Sequence, residues 1–581
     1  MQNIVKSKNW ALKNTAPAEF FNFLRGVNHK FSKPEILGQI LWNRGIKTAE
    51  EVETFLNPNY DLHIHDPFLL KGMEKAVSRL IQAVKNKEKI IVSADYDADG
   101  VCGSVVLSEF LKAVEADFDV WIPDRFKEAY GLSKEKIEEF ARTGAKVIVT
   151  IDCGVTDYDE IELANQKGID VIVIDHHLIP PKWPRAFAII DHKQEDDTYP
   201  EKILCGTGLA FKLVQGLLKK ENWGLKEGWE KWLLDCVAIA TVADMVPLTG
   251  ENRIFVKYGC LVIKKGRRLG LSKLLKFKNI DLSSVTSETI GYQIAPRINA
   301  ASRMDHANTA YELLKTENEE EAGWLAKRLE EKNSERRTIV ELILGELSLR
   351  FESVPLSSVV FEGSKDWPAG VLGIAANRLV EKFHRPVFLY SIVSDTMVKG
   401  SCRAPEGVNV VDLMRGAENL FFDFGGHALS GGFSMLPEKI DELREKIIEL
   451  GDRLNYDATA SPREADMEIN LDDISENLFE DTQILQPFGQ VNPSPVFLIK
   501  NVFIRDLKKV GSNGSHVKMK LGKNGFSGGY DKSAIGAIYF RAGENGFKAG
   551  DKIDVLAELQ ENIWNDRRNI ELRIVDARHS E

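Results

Sequence analysis

Cysteine is scarce in this sequence, and Cys102, Cys153, Cys205, Cys236, Cys260 and Cys402 are scattered through 581 residues without paired spacing. That pattern excludes a disulfide framework or a clustered zinc site and fits a reducing cytoplasm. No apolar run approaches membrane-spanning length, and residues 1–17 are polar and charged where a signal peptide has its apolar stretch. The expected protein is cytoplasmic, with no membrane partner. An excess of positive charge is also missing. The formal net charge of -11 argues against sequence-blind adsorption to nucleic acid but leaves room for a local basic groove. Internal repeats and low-complexity tracts are absent as well. What remains is length for several domains and 43% apolar residues to fill a core in each.

The stretch around which the chain is organised is 89–104, where Ile90-Ile91-Val92 runs into Asp95-Tyr96-Asp97-Ala98-Asp99-Gly100 and then a helix-like segment. This reads as strand, turn, helix. If the acidic segment is extended, Asp95, Asp97 and Asp99 share a face. Three like charges so placed repel unless a cation lies between them, and oxygen ligands suit Mg²⁺ or Mn²⁺. Helix capping accounts for one such carboxylate, not three.

Three further strand signals follow. Residues 146–151 end at Asp152-Cys153-Gly154, 171–174 at Asp175-His176-His177, and 187–190 at Asp191-His192. Candidate helices over 134–142 and 157–166 separate the early strands, so the pattern is alternating βα with a parallel sheet. Ligands gather beyond the carboxyl ends of such strands, where this sequence repeatedly places Asp and His. Before the sheet, 33–58 is amphipathic and helical, as for a docking preface. After it come a buried helix over 232–240 leading to Asp244, a basic run over 264–278, and a long charged helix over 317–350 suited to connecting domains. A second α/β pattern starts near 354, with glycine-rich turns at 399–403 and 424–427. Residues 456–465 read as a linker, and short alternating strands over 497–576 fit a small β-barrel.

Asp97, Asp99, Asp152, His176 and Asp244 together offer enough donors for two divalent ions sharing a carboxylate, the arrangement used to hydrolyse phosphoesters. Adjacent histidines alone are common in polar loops; preceded by Asp175 at the end of an apolar strand they are more specific. On these residues, with Ala243 to Leu248, Pro296 to Ala300, Gly425 to His427 and the run Pro487-Phe488-Gly489-Gln490-Val491-Asn492-Pro493, the chain resembles the DHH phosphoesterase superfamily, and within it the single-strand-specific 5′→3′ exonucleases. The resemblance implies an α/β fold with a parallel-sheet DHH domain (71–315), a connecting helix (316–350) and a second α/β DHHA1 domain (351–455). A helical preface (1–70) would precede them, and a linker with an OB-fold β-barrel (456–581) would follow.

The resemblance also implies two Mn²⁺ or Mg²⁺ ions on the five residues named above, with Asp95, Asp175 and His177 in support and His427 contacting the scissile phosphate beside Gly425 and Gly426. Arg125, Ser401 and Arg403 would bind a 5′ phosphate, and Arg297, Asn299 and Arg303 phosphate or sugar. Arg297 has the alternative of a structural salt bridge. Pro368 and Ser302 depart from the family's His and Gly, which touches substrate contacts and not the metal ligands. Implied partners are single-stranded DNA, a helicase and a single-strand-binding protein, with a role in DNA repair and recombination. Trp564 could stack on bases or pack a hairpin. The competing readings are a phosphodiesterase of short oligoribonucleotides or cyclic dinucleotides, which would not need the barrel, and a non-catalytic replication scaffold, which would not keep the carboxylates.

Overall fold

A computed structural model describes residues 10–24, 31–125, 127–128, 130–178, 182–353, 356–454, 456, 462–511, 514–524, 534–543, 546–564 and 567–580. Residues 457–461 of the linker expected over 456–465, and the side chain of Trp564, lie outside the described residues. An amino-terminal segment carries β1 (Trp10–Leu12), α1 (Ala18–Leu24), α2 (Pro34–Asn43), α3 (Ala49–Leu56), α4 (Tyr60–His63) and α5 (Met73–Lys85). The first α/β domain then runs β2 (Lys89–Ala94), α6 (Ala98–Ala113), β3 (Phe118–Trp121), α7 (Lys134–Arg142), β4 (Ala145–Ile151), α8 (Tyr158–Gln166), β5 (Asp170–Ile174) and β6 (Ala188–Ile190). Its strands are all parallel, in the order β3-β2-β4-β5-β6. Only β3 went unread in the sequence.

These strands are unbroken apolar runs because both faces are covered. Val92, Val149 and Ile174 pack with α5, α6 and α9 (Gly206–Lys220) on one side, while Ile91, Ile148 and Val173 meet α7 and α8 on the other. A helical set completes the domain: α10 (Leu234–Ala243), α11 (Gly250–Lys264), α12 (Leu269–Phe277), α13 (Ser287–Thr289), α14 (Ala295–Met304) and α15 (Asn308–Lys315).

The long helix α16 (Glu319–Ser353) connects the domains. Lys273–Glu319 and Arg297–Glu330 tie its first half to the first domain, and Arg350–Glu362 with Trp367 Nε1 donating to Glu346 ties its second half to the next. That second domain comprises β7 (Val360–Ser364), α17 (Leu372–Phe383), β8 (Val387–Ser394), β9 (Met397–Arg403), α18 (Val410–Arg415), β10 (Asp423–His427), β11 (Ser430–Met435) and α19 (Ile440–Asp452). Its sheet order is β10-β11-β9-β8-β7, with only β7 and β8 parallel. The segments 399–403 and 424–427, expected as glycine-rich turns, lie on strands β9 and β10.

The remaining chain adds β12 (Arg463–Ala465), β13 (Met467–Glu468), α20 (Glu476–Gln483) and strands β14 (Phe497–Val510), β15 (His516–Gly522), β16 (Ile535–Tyr539), β17 (Lys552–Trp564) and β18 (Arg567–His579). Pairing of β14 with both β15 and β17 closes these last five into an OB-type barrel. Its core is continuous with the amino-terminal segment: Phe20, Leu37, Ile40 and Val52 share one cluster with Phe497, Ile504, Val555 and Leu572. β1 also pairs in parallel with β12, within the stretch expected as linker.

The barrel docks on the first domain through the Pro487–Pro493 run, where Leu248 N donates to Gln490 O at 2.9 Å and Ser287 Oγ to Phe488 O at 2.7 Å. Arg253, buried and without a carboxylate partner among the described residues, secures the same junction by donating to Phe55 O and Leu485 O at 2.9 Å each.

Candidate active site

The acidic segment after β2 is not extended. Asp95 closes the strand; Asp97 is the N-cap of α6, its Oδ1 accepting from Asp99 N at 2.8 Å and Gly100 N at 3.3 Å; and Asp99 lies in the first helical turn. The carboxylates converge because the strand-to-helix turn is tight, and the capping role and the site position coincide in Asp97. Gly100 permits that turn, since a Cβ there would stand 2.2 Å from Asp95 O. Asp99 is fixed by the start of α9: its two oxygens accept from Gly206 N at 2.6 Å and Thr207 N at 2.8 Å, at the positive end of the helix dipole.

Asp152, at the end of β4, has φ 62°, a left-handed conformation that Asp tolerates better than most residues and that turns its carboxylate inward. After β5, Asp175 is buried and organises the loop: its Oδ1 accepts from His176 N (2.8 Å) and His177 N (3.1 Å) and meets His177 Nδ1 at 2.7 Å. Asp244 is the C-cap of α10. His176 Nε2 therefore stands 3.1 Å from Asp152, 3.7 Å from Asp99 and 3.7 Å from Asp244. Donor atoms within 4.8 Å of one another form three overlapping triplets: Asp95, Asp97 and Asp152; Asp99, His176 and Asp244; and Asp152, His176 and His177. Asp95 and His177, expected only in support, thus sit among the potential ligands.

These donors fit divalent cations. The buried Asp95 Oδ1 and Asp152 Oδ1 accept no hydrogen bond among the described residues, and burial followed by the neighbouring carboxylates pushes both groups well above the usual carboxylate range. Asp97 is raised by burial and then Asp99, and Asp244 is pushed up to about 8 by burial, then Asp99 and Asp97. Burial brings His176 down to about 4, leaving a neutral ring with a lone pair to donate. His177 is raised to about 9: burial opposes this, and the hydrogen bond and charge of Asp175 outweigh it.

A cationic pocket adjoins the carboxylates. The Arg125 guanidinium stands 4.8 Å from the Tyr96 ring centroid, Arg303 Nη1 donates to Gly370 O at 3.1 Å, and Arg403 Nη1 donates to Ser401 Oγ (3.1 Å) and Cys402 O (2.7 Å). None of the three has a carboxylate partner among the described residues. Burial, then the charges of Arg125, Arg336 and Arg403, brings Arg303 down to about 9, as expected of guanidinium groups gathered for an anion. A Cβ on Gly373 would lie 2.7 Å from Arg403 Nη2 and 3.0 Å from Ser401 Oγ, so glycine at the start of α17 leaves room for the Arg403 guanidinium in its present place.

From the same domain, exposed His427 on β10 reaches the site: burial, then the charges of His177 and Lys193, lowers its pKa. Gly426, at φ 142°, allows β10 to approach β11, since a Cβ would stand 2.3 Å from Ser430 O. Gly425 has open space where a Cβ would be.

Arg297 and Asn299 make other contacts. Arg297 is buried, its Nε donating to Glu330 at 2.5 Å and Nη1 to Gln293 O at 2.6 Å, the salt-bridge alternative. Asn299 Oδ1 accepts from Ala98 N at 2.9 Å and so steadies the Asp97 turn. Ser302 Oγ donates back to Asn299 O at 3.3 Å, and Pro368 starts a short 3-10 turn before α17.

Three further residues near the site were missed: Lys193, whose Nζ donates to His176 O; Tyr130, whose hydroxyl donates to Asp152 O at 2.8 Å; and Arg336, one of many charges along α16, whose charge acts on Arg303. Lys193 could have been suspected from its place after the strand-end pair Asp191-His192.

Comparison with known proteins matches residues 89–241 to the DHH family, N-terminal domain, 356–450 to the DHHA1 domain and 465–576 to the RecJ OB domain. The chain is 35% identical to the single-stranded-DNA-specific exonuclease RecJ of Bacillus subtilis strain 168, over 94% of this chain and 68% of that protein. It is 32% identical to the Escherichia coli K12 protein of the same name, over 80% of this chain and 83% of that one. Among solved structures it is similar to RecJ from Thermus thermophilus in complex with Mn²⁺, with a TM-score of 0.83 and 27% identity, covering 99% of this chain and 80% of that chain.

Proposed function

The chain belongs to the RecJ family of single-stranded-DNA-specific exonucleases, and from that premise we propose that it degrades single strands from a 5′ end and releases nucleoside 5′-monophosphates in DNA repair and recombination. The observation that carries this reading is the contact between two unlike clusters: overlapping carboxylate and histidine triplets on one side, and on the other Arg125, Arg303 and Arg403, which have no carboxylate partners among the described residues. A terminal phosphate held by the guanidinium groups brings the adjoining phosphodiester toward the carboxylate cluster.

Asp97, Asp99, Asp152, His176 and Asp244, with Asp95 beside them, would hold two Mn²⁺ or Mg²⁺ ions. Such ions, when bound, act as Lewis acids on the phosphodiester and acidify the attacking water. The chain's own residues do the rest. Arg125, Ser401 and Arg403 grip the 5′ phosphate, with Arg303 adding charge behind them. Asp175 fixes the His177 ring by Nδ1, so the other ring nitrogen can hand a proton toward the leaving oxygen. His427 donates to a non-bridging phosphate oxygen as charge develops, and Lys193 Nζ offsets negative charge between His427 and His176.

Exposed Lys508 and Lys509 on β14 give the barrel a cationic track for the strand beyond the active site. Six buried, unpaired cysteines suit a cytoplasmic setting, where a helicase and a single-strand-binding protein would supply substrate. No helix among the described residues is long and apolar enough to cross a membrane. The test is digestion of an end-labelled, 5′-phosphorylated single strand with Mn²⁺. Mononucleotides should appear first from the 5′ side; early release from the 3′ side, or of oligonucleotides, overturns the proposal.

A further inference from the structure

At the end of α6 and α10 remote from the carboxylates lies a second cavity of about 580 Å³, within the about 300–1,000 Å³ span of small-molecule sites. α6 carries Asp99 in its first turn and contributes Lys112 to this cavity. Thirteen residues at 1.5 Å each separate the two sites by about 20 Å along the helix axis. A ligand here would touch none of the groups of the active site.

The floor is already satisfied. Arg268 donates to both oxygens of Asp235 (2.7 and 3.0 Å) and to Glu109 (2.6 Å), closing a buried ion-pair network. The rim is not. Trp232 is 40% exposed, and the Arg267 guanidinium stands 5.1 Å from its ring centroid with no hydrogen bond or ion pair among the described residues. Lys315 lies 5.2 Å from the Tyr311 ring and 3.7 Å from half-exposed Glu312, and among the described residues Lys112 meets the highly exposed Glu317, at 2.9 Å. Screened pairs of that kind are worth little and are readily exchanged.

An exposed indole beside a free guanidinium and two ammonium groups suits a planar, π-faced ring joined to an anion. A simple anion would leave the indole without use, and a purely apolar molecule would leave the cations so. Glu109 is taken by Arg268, and the Tyr311 and Ser108 hydroxyls donate to Ser108 Oγ and Val105 O, so a base would be held by stacking on Trp232 and not by the floor. We propose that this cavity binds a nucleoside phosphate, with the base against Trp232 and the phosphate on Arg267, Lys112 and Lys315. The assignment stands apart from the reading of the active site.

The test is calorimetric titration of the full chain, without Mn²⁺ so that no strand is hydrolysed, with dAMP, adenosine, inorganic phosphate and a 5′-phosphorylated decanucleotide. dAMP should bind about tenfold or more tighter than adenosine or phosphate. Trp232→Leu and Arg267→Glu should each lower its affinity about tenfold while hydrolysis of short oligonucleotides and the melting temperature stay unchanged. Because dAMP carries the 5′ phosphate that the Arg403 pocket also takes, Arg403→Ala should remove only that second event and keep a Trp232-dependent site of unchanged affinity. Decanucleotide binding that also depends on Trp232 would identify the natural ligand as a strand terminus, and its absence would identify a free nucleotide. The proposal is overturned if dAMP gives no saturable heat at millimolar concentration, if phosphate binds as tightly as dAMP, or if Arg403→Ala and not Trp232→Leu abolishes binding.

Discussion

In the first domain the charges of the active site are fixed by backbone: Asp97 caps α6, Asp99 sits on the amides that open α9, and Asp175 gathers the amides of its own loop. Across the junction Arg403 is held by a hydroxyl and a carbonyl, and His427 projects from an exposed strand. The carboxylates are crowded into a place where they repel; the guanidinium groups are left without counter-charges among the described residues. Each cluster is electrostatically incomplete, the first needing cations and the second an anion. Loss of a carboxylate should therefore be felt as catalysis and loss of a guanidinium as selection.

Asp152 is the sharpest place to break that division. At φ 62° an alanine would add backbone strain, so Asp152→Asn, which tolerates the left-handed region, isolates the loss of charge. Its single-turnover rate on a short 5′-phosphorylated oligonucleotide should fall roughly 10³-fold or more, with the circular dichroism spectrum unchanged. A rate within tenfold of the parent would remove Asp152 from the cation site.

Metal binding should depend on pH in a direction set by the same crowding. Asp244 titrates at about 8, so near neutral pH the empty cluster carries protons that cations must displace. Mn²⁺ affinity should rise between about pH 6 and 8.5, and calorimetry in buffers of different ionisation enthalpy should reveal proton release. For folding, a carboxyl raised in this way contributes stability at low pH that is lost as pH climbs through its folded value. Chelator-treated protein should accordingly melt lower at about pH 8.5 than at pH 6, and Asp244→Asn should narrow that gap.

On the other side of the junction, Arg403→Ala should reduce the preference for 5′-phosphorylated over 5′-hydroxyl strands by roughly 10- to 100-fold, the worth of one charge-assisted contact to phosphate. His427→Ala should lower turnover more than affinity, by roughly 10²-fold. Full end preference in the first variant, or unchanged turnover in the second, would mean that this domain only closes over the strand.

The smallest effect belongs to the barrel. Deleting 497–581 would also strip half the core from residues 16–56, so surface substitution is the cleaner probe. Lys508→Ala with Lys509→Ala should weaken binding of long strands, reduce the salt slope by about 1 per lysine, and spare hydrolysis of very short oligonucleotides.

The order of strands and helices in the first domain was legible because its signals are local: β-branched runs buried on both faces end in Asp or His. The five expected ligands follow from those endings and from the acid after the apolar α10, and the structure brings them together. Position along the chain misled in two ways. Periodicity placed Asp95, Asp97 and Asp99 on one extended face, although a helix begins between them at Ala98. Glycine content suggested turns at 399–403 and 424–427, where Gly400 and Gly426 instead let strands pack closely against Phe433 and Ser430.

The sequence by itself thus determined the fold class, the family and the identity of most charged groups at the site, since short-range pattern and motif suffice for these. Tertiary structure alone decided that Arg297 pairs with Glu330 while Arg303 finds no carboxylate among the described residues, that Lys193 and Arg336 join the site, and that residues 16–56 share a core with a barrel more than 400 positions away. An arginine reads the same in sequence whether or not a carboxylate waits for it. Its counter-charge lies on another element, and only packing brings the two within reach.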